Sequence, residues 1–153
     1  MPFERGPYLT LATFCEQVLQ ESSGVLSLIR IVDRMVVTAS GPNAPEDMPP
    51  AELTWTLVIT MKSGDSRGSH PVKIVPQIPS GETLAPVTLP IHLEGENKGQ
   101  NLITRMNMQL RMPGIYWFQI FFDDQLVTKV PLEVIYSRIV TPGPQRRLPP
   151  EAN

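Results

Sequence analysis

Proline supplies 17 of the 153 residues, about twice its usual share, and no other feature of the sequence narrows the fold as much. An interior proline costs a helix on the order of 3 kcal/mol, because it removes a backbone donor and its ring clashes with the preceding turn. This argues against a helical bundle. A β domain accommodates proline in turns, on edge strands and at bulges. Apolar residues make up 41% of the chain. A chain of this length buries roughly 70% of the surface that its unfolded form exposes, so one core can stand without a metal or disulfide staple.

Thirteen Lys and Arg against fifteen Asp and Glu leave a net charge of −2, which carries no electrostatic footprint for nucleic acid or an anionic membrane. The segment Met1 to Pro7 lacks the apolar region of a signal peptide, and no run approaches the ~20 apolar residues of a membrane span. Cys15 is the single cysteine, so no internal disulfide forms, in keeping with a reducing compartment. The expected location is cytoplasmic, with neither nucleic acid nor membrane as partner.

Period-2 alternation is clearest in Leu53 to Met61, where every odd residue is large and apolar and threonine fills three of the four even positions, the pattern of a strand with one face on a core. Val72, Ile74 and Ile78 repeat it. Asp65-Ser66-Arg67-Gly68 lies between, with Asp first and Gly last as in a type I turn, so the two runs read as a hairpin. Val87 to Leu93 and Leu102 to Leu110 alternate in the same way and read as two strands joined by a polar turn, Glu94 to Gly99. Pro90 belongs on an edge or at a bulge.

Ile115 to Phe122 is apolar on both faces, whereas Leu126, Val130, Leu132, Val134 and Tyr136 share even parity. A three-residue loop Asp123-Asp124-Gln125 would pair Phe122 with Leu126 and match the even faces. The odd face then sets Trp117 against Pro131, Gln119 against Lys129, Phe121 against Val127 and Ile115 against Glu133.

Leu11, Phe14, Cys15, Val18 and Leu19 fit helical spacing, and Thr13 to Glu16 matches a capping box. A strand from about Tyr8 to Gln20, turned at Ser22-Ser23-Gly24, is the preferred reading, since pairing with the β-rich run Val25 to Thr38 satisfies both backbones. Ser40 to Glu52, with four prolines, reads as an extended connection. Residues 1–141 are expected to form one domain, and the Pro-rich tail 142–153 to be disordered. About eight strands with short turns point to an all-β, antiparallel two-sheet β-sandwich, immunoglobulin-like or C2-like.

The run Leu110 to Phe118, with Gly114-Ile115-Tyr116 leading into a strand, resembles the tyrosine corner of immunoglobulin-like sandwiches. That likeness implies a Tyr116 hydroxyl bonded to backbone a few residues upstream. The disulfide of antibody-type domains has no counterpart here. From about Tyr8 to Tyr136 the chain also resembles a family of uncharacterised bacterial β-sandwich proteins, through Gly24 to Arg34, Gly68-Ser69-His70-Pro71-Val72 and Pro113 to Phe118. The resemblance implies fold and origin and assigns no chemistry.

His70, His92, Cys15 and the serines form no catalytic motif. Both histidines read as solvent-facing, and Cys15 as a small core residue. Three such residues at 15, 70 and 92 have no zinc spacing. Asp123 and Asp124, joined by Asp65 or Asp33, offer a loop calcium cage only if their loops share an end, and Asp is also favoured in tight turns. Trp117 and Phe121 open a carbohydrate-stacking reading, with Gln119 and Lys129 as polar partners. Arg30, Asp33 and Arg34 suggest a charged cluster or an ordinary solvated face. The leading candidate site is an apolar interaction face of Ile115, Trp117, Phe121, Val127 and Pro131; the competing reading has another segment covering it. The expected function is a non-enzymatic protein-interaction or assembly module that meets a protein partner or a second copy and needs no cofactor. The alternatives are a ligand-binding module for calcium or carbohydrate and, third, a hydrolase.

Overall fold

The computed structural model describes residues 4–144. Seven strands follow one another in this span: β1 (Tyr8–Gln20), β2 (Leu26–Val32), β3 (Arg34–Gly41), β4 (Ala51–Gln77), β5 (Val87–Leu110), β6 (Gly114–Phe122) and β7 (Gln125–Val140). Their hydrogen bonds run in the order β2-β1-β4-β6-β7-β3, with β5 on β4. The protein is all-β, as the prolines and the alternation require. Pairing is continuous through β4, however, and β3 lies parallel to β7. A curled mixed sheet thus replaces the two separate antiparallel sheets expected from the sequence.

The 27-residue β4 organises this sheet. Along one edge it pairs with β5 from Ala51↔Leu110 to Ile74↔Val87. The opposite edge is shared, β1 taking Thr56 to Lys62 and β6 taking Val72 to Gln77. Phe14 lies opposite Leu57 and Phe118 opposite Pro76. On a straight strand those two partners would stand about 60 Å apart. The Phe14 and Phe118 rings are 4.9 Å apart between centroids, and both meet Trp55 edge to face. β4 and β5 therefore fold back together, and their two halves pack face to face on one core.

The bend falls where the sequence pattern suggests a hairpin turn. Residues 53–61 and 72–78 do not pair with each other; they are the two arms of one strand. The register slips between Lys62 and Gly64 and again between Gly64 and Arg67, adding one residue first to β5 and then to β4. Such bulges bend and twist a ladder. Glu94 to Gly99 is likewise the bend of β5 and not a turn between two strands. The inside of the bend is tight: a Cβ on Gly64 (φ 59°) would lie 2.5 Å from the Arg5 carbonyl oxygen. Ser63, buried, donates its hydroxyl to the Lys98 carbonyl at 2.7 Å, tying the two bent strands together.

β1 occupies the residues expected of it and pairs with β2 on one side and β4 on the other. The run Val25 to Thr38 is broken at Asp33, and β3 crosses to β7. The connection 42–50 is held down by Ala44 and Met48, both buried, and by bonds from Tyr136 Oη to the Pro45 carbonyl (2.6 Å) and Arg138 Nε to the Ala44 carbonyl (3.0 Å). Residues 142–144 carry no regular structure, and the rest of the expected tail lies outside the described residues.

The core gathers Phe14, Trp55, Leu57, Ile59, Ile74, Ile91, Tyr116, Phe118 and Leu132 with their neighbours. Tyr116 Oη donates to the Met112 carbonyl at 2.7 Å, the tyrosine-corner bond anticipated from Gly114-Ile115-Tyr116. Among the described residues two buried polar atoms have no partner, Trp55 Nε1 and Thr104 Oγ1. Such an atom costs about 1–3 kcal/mol.

Gly64→Ala tests the bend. It meets backbone and carries a left-handed φ, so stability should fall by on the order of 2 kcal/mol or more. Gly68 has φ 88° but open space around its Cβ, so Gly68→Ala should cost about half as much. Equal losses in thermal melts would show that the close approach at Gly64 contributes nothing.

Candidate functional site

In β6, Tyr116, Phe118, Ile120 and Phe122 are buried, and the odd positions face outward. Backbone pairing lines these up in rows across the sheet. Gln77, Trp117 and Pro131 form one row, and Ile115, Glu133 and Arg34 the next. Trp117 is 38% exposed and Ile115 47%. Beside them the β4–β5 connection closes in, because Gly114 (φ 130°) lets Pro79 approach to where a Cβ would meet it at 2.8 Å. The result is a depression of about 440 Å³ lined by Gln77, Ile78, Pro79, Gly81, Ile115 and Trp117.

The five residues expected on this face do not all lie there together. Ile115, Trp117 and Pro131 do. Phe121 is half-buried one stretch away, beyond the polar row of Gln119 and Lys129, with Lys73 Nζ 5.2 Å from its ring centroid. Val127 packs against the core cluster. The cause is the turn, which has two residues, Asp123 and Asp124, both left-handed (φ 46° and 62°), so Phe122 pairs with Gln125 and Phe121 with Leu126. A bulge at Val127 absorbs the slip, and from Ile120↔Thr128 onward the register is the expected one. On the far side Val36, 56% exposed, joins the face opposite Ile135. Sequence reasoning missed Val36 because parallel β3–β7 pairing brings together segments about a hundred residues apart, with no local signal.

The other sequence candidates have structural partners. Cys15 is fully buried, and burial pushes its thiol pKa up, which makes it a poor nucleophile. Asp65 pairs with Arg5 at 3.0 Å, Asp33 with Arg34 at 4.0 Å, Asp124 with Lys73 at 3.4 Å, and Asp123 with His70 at 2.8 Å. Among the described residues no three His, Cys, Asp or Glu side chains converge on a metal position. Arg30 meets Glu16 at 3.5 Å beside a shallow cleft at the β2–β3 crossing, an exposed pair of small energetic weight.

His70 is more specifically held than a solvent-facing turn residue. Its Nδ1 lies 2.8 Å from Asp123 Oδ2, its Nε2 lies 2.8 Å from the Arg67 carbonyl oxygen, and its ring lies 5.0 Å from that of Phe122. Both polar partners are acceptors. A neutral imidazole has one N–H and satisfies one of them, whereas the imidazolium satisfies both. Burial pulls the pKa down, but the Arg67 bond and the bond and charge of Asp123 outweigh it and hold His70 above the ordinary histidine value. The ring clamps the β6–β7 turn to the outer end of the bend, and both its nitrogens are engaged, leaving neither for a serine or cysteine.

A group with a raised native pKa contributes stability that is full below its unfolded value, about 6.5, and is lost as pH rises through the native value. The melting-temperature advantage of the parent chain over His70→Gln should therefore shrink between pH 6 and pH 8.5. Asp123→Asn should lower the His70 midpoint in a ring-proton NMR titration. A pH-independent advantage, or an unmoved midpoint, would contradict the clamp.

No curated protein matches the sequence. Among solved structures, a β-glucosidase from Listeria innocua in complex with glucose is 10% identical, with a TM-score of 0.43 over 84% of this chain and 17% of its own. The chain thus spans about a sixth of that enzyme. An immunoglobulin-like protein from Pseudomonas aeruginosa is 14% identical, with a TM-score of 0.41 over 81% of this chain and 91% of its own. An alkylpurine DNA glycosylase from Pseudomonas fluorescens, bound to DNA containing an abasic site analogue, is 10% identical with a TM-score of 0.39 over 63% and 27%. A family model matches residues 10–135, nearly the whole strand-bearing part of the chain, and by that match the protein belongs to the family of unknown function DUF6941.

Proposed function

We propose that the protein is a non-enzymatic β-sandwich module that acts in the cytoplasm through protein contacts, as a self-associating or assembly component. Its contact surface is the outer sheet face around Trp117, Ile115 and Pro131. The observation that carries this reading is a tryptophan 38% exposed on the outer sheet face beside an isoleucine 47% exposed. Tryptophan in a partly desolvated setting dominates interface energetics far beyond its frequency. The surroundings support it: Gln77, Gln119, Lys129 and Glu133 ring the apolar centre, the polar rim typical of a protein interface. Val36 and Ile135 extend the apolar surface across β7 and β3.

A glycan-binding reading draws on the same Trp117 and on the depression beside it. It is the weaker one, because the amide nitrogen of Gln77, the polar side chain in that row, already donates to the Gly81 carbonyl at 3.1 Å. The carboxylates that a calcium site would use are each engaged by a basic side chain.

Sedimentation across micromolar to submillimolar concentration tests the interface. Self-association should appear, and Trp117→Ala should weaken it by tenfold or more, on the order of 1.4 kcal/mol, with little change in melting temperature. A monomer throughout, with Trp117→Ala sedimenting and binding other proteins just as the parent chain does, would end this reading. Stabilisation by a soluble glycan, abolished by the same substitution, would establish the other.

A further inference from the structure

The edges of the sheet are not treated alike. β5 carries Pro90 and the charged residues of the bend, and β7 carries Pro131 in the stretch that β3 does not reach. β2 is interrupted at Arg30, whose φ of 55° takes it out of the ladder with β1 between Ile29 and Ile31. Proline, charge and local irregularity are the devices that keep a sheet edge from pairing with another chain. β3 lacks all three from Met35 to Ser40. Among the described residues its ladder partner is β7 alone.

The β3–β7 bonds identify the backbone groups left over. Glu133 N–H donates to the Asp33 carbonyl at 3.1 Å and Thr141 N–H to the Gly41 carbonyl at 3.3 Å, at the two ends of an unbroken register. In a strand the N–H and C=O of one residue point to the same side, and successive residues alternate sides. Odd residues from Asp33 to Gly41 therefore spend these groups on β7, and Arg34, Val36, Thr38 and Ser40 turn theirs to the opposite edge. Among the described residues no partner meets them there. No residue of β3 is buried: Val36 is 56% exposed, and Met35 and Val37 are only partly covered where they pack on the core.

We propose that this edge pairs with the β3 edge of a second copy, antiparallel about a twofold axis at Val37, so that one sheet runs through both molecules. That axis sets Arg34 opposite Ser40 and Val36 opposite Thr38, and each outward residue exchanges both backbone groups with an outward residue of the partner. Shifted by one residue, the outward groups would meet residues already bonded to β7. Shifted by two, an outward residue would meet Val32 or Pro42, beyond the ends of β3. The side chains fit the same register. β-branched Val36 and Thr38 pair on the outer face, while on the inner face Val37 meets its own counterpart and long Met35 meets small Ala39. Arg34, the one charge of the strand, lies at opposite ends of the pair, so like charges stay apart. A strand of another protein would supply the backbone bonds without this self-matching. The contact does not use Trp117 and stands apart from the reading above.

Amide hydrogen exchange on the full chain, from micromolar to submillimolar concentration, reads the edge directly. The Met35, Val37 and Ala39 amides should be protected throughout, and those of Val36, Thr38 and Ser40 should gain tenfold or more in protection as the concentration rises. Thr38→Pro removes an outward donor and leaves every β3–β7 bond in place, so it should weaken dimerisation at least tenfold in sedimentation, whereas Thr38→Val should not. A synthetic peptide of residues 34–41 should protect the same amides and compete with the dimer, and a scrambled peptide should do neither. Trp117→Ala should leave the exchange pattern intact whether or not the Trp117 face associates, which separates the two contacts. Edge amides that exchange freely at every concentration, a Thr38→Pro chain that dimerises as the parent does, or protection lost in Trp117→Ala would overturn the proposal. Equal protection by the scrambled peptide would overturn it in favour of general peptide docking at this edge.

Discussion

The bend of β4 is the constraint on which the rest of the molecule depends. A 27-residue strand drawn straight would run about 90 Å, with β1 and β6 far apart along one edge. Folding it at Ser63 to Arg67 brings their inner faces together, so Phe14, Trp55 and Phe118 meet as one aromatic group. Much of the local chemistry serves that corner. Gly64 admits the Arg5 backbone, whose carbonyl accepts from Asp65 N–H at 2.8 Å. Gly95 admits the Arg67 guanidinium, which donates to the Glu94 carbonyl at 2.9 Å. His70 then ties the outer end of the corner to the β6–β7 turn. Each contact is modest, but together they hold one strand in two layers.

The same bend decides where the sheet is open. Because β5 follows β4 through the corner, it takes one edge of both arms, and among the described residues no other strand pairs with its outer edge. Free edges invite strand addition unless proline, charge or a bulge disturbs them. Pro90 lies opposite Pro71, and the bend brings Glu94, Glu96 and Lys98 to the outside of β5. Pro131 plays the equivalent part on β7, in the stretch before β3 begins to pair at Glu133. These edges are guarded by residues that discourage backbone pairing.

Much of this architecture was legible from residues alone, for identifiable reasons. Alternation marked nearly every strand, and its parity gave the buried face of β6 and most of the β6–β7 register. Period-2 burial is set by the local chain and needs no knowledge of the partner. Where the partner matters, the sequence was silent or misleading. Phe14 and Cys15 are consecutive on β1 and both buried, and burial on both faces of a strand mimics helical spacing. Asp65 to Gly68 has the residues of a reversing turn, yet a bulged bend uses the same kinds of residue, and only the continued pairing of β5 separates the two. The two-residue turn at Asp123 and Asp124 asks for left-handed backbone, which Asp tolerates without announcing. Trp117 and Ile115 were found by parity. Val36 was not, since it depends on a parallel pairing.

The segment 78–86 connects the consequences of the bend. On one flank Ile78, Pro79 and Gly81 form the wall of the Trp117 depression, and on the other Leu84 and Ala85 form the wall of a groove beside β5. The loop is tied across its base by Leu84 N–H to the Pro76 carbonyl at 2.8 Å and by the bridge between Gln77 and Thr83. The two flanks are thus separated by only a few residues of hydrogen-bonded backbone. An outward face centred on Trp117 and a groove beside β5, set on either side of one short loop, form an arrangement that a straight β4 could not have produced.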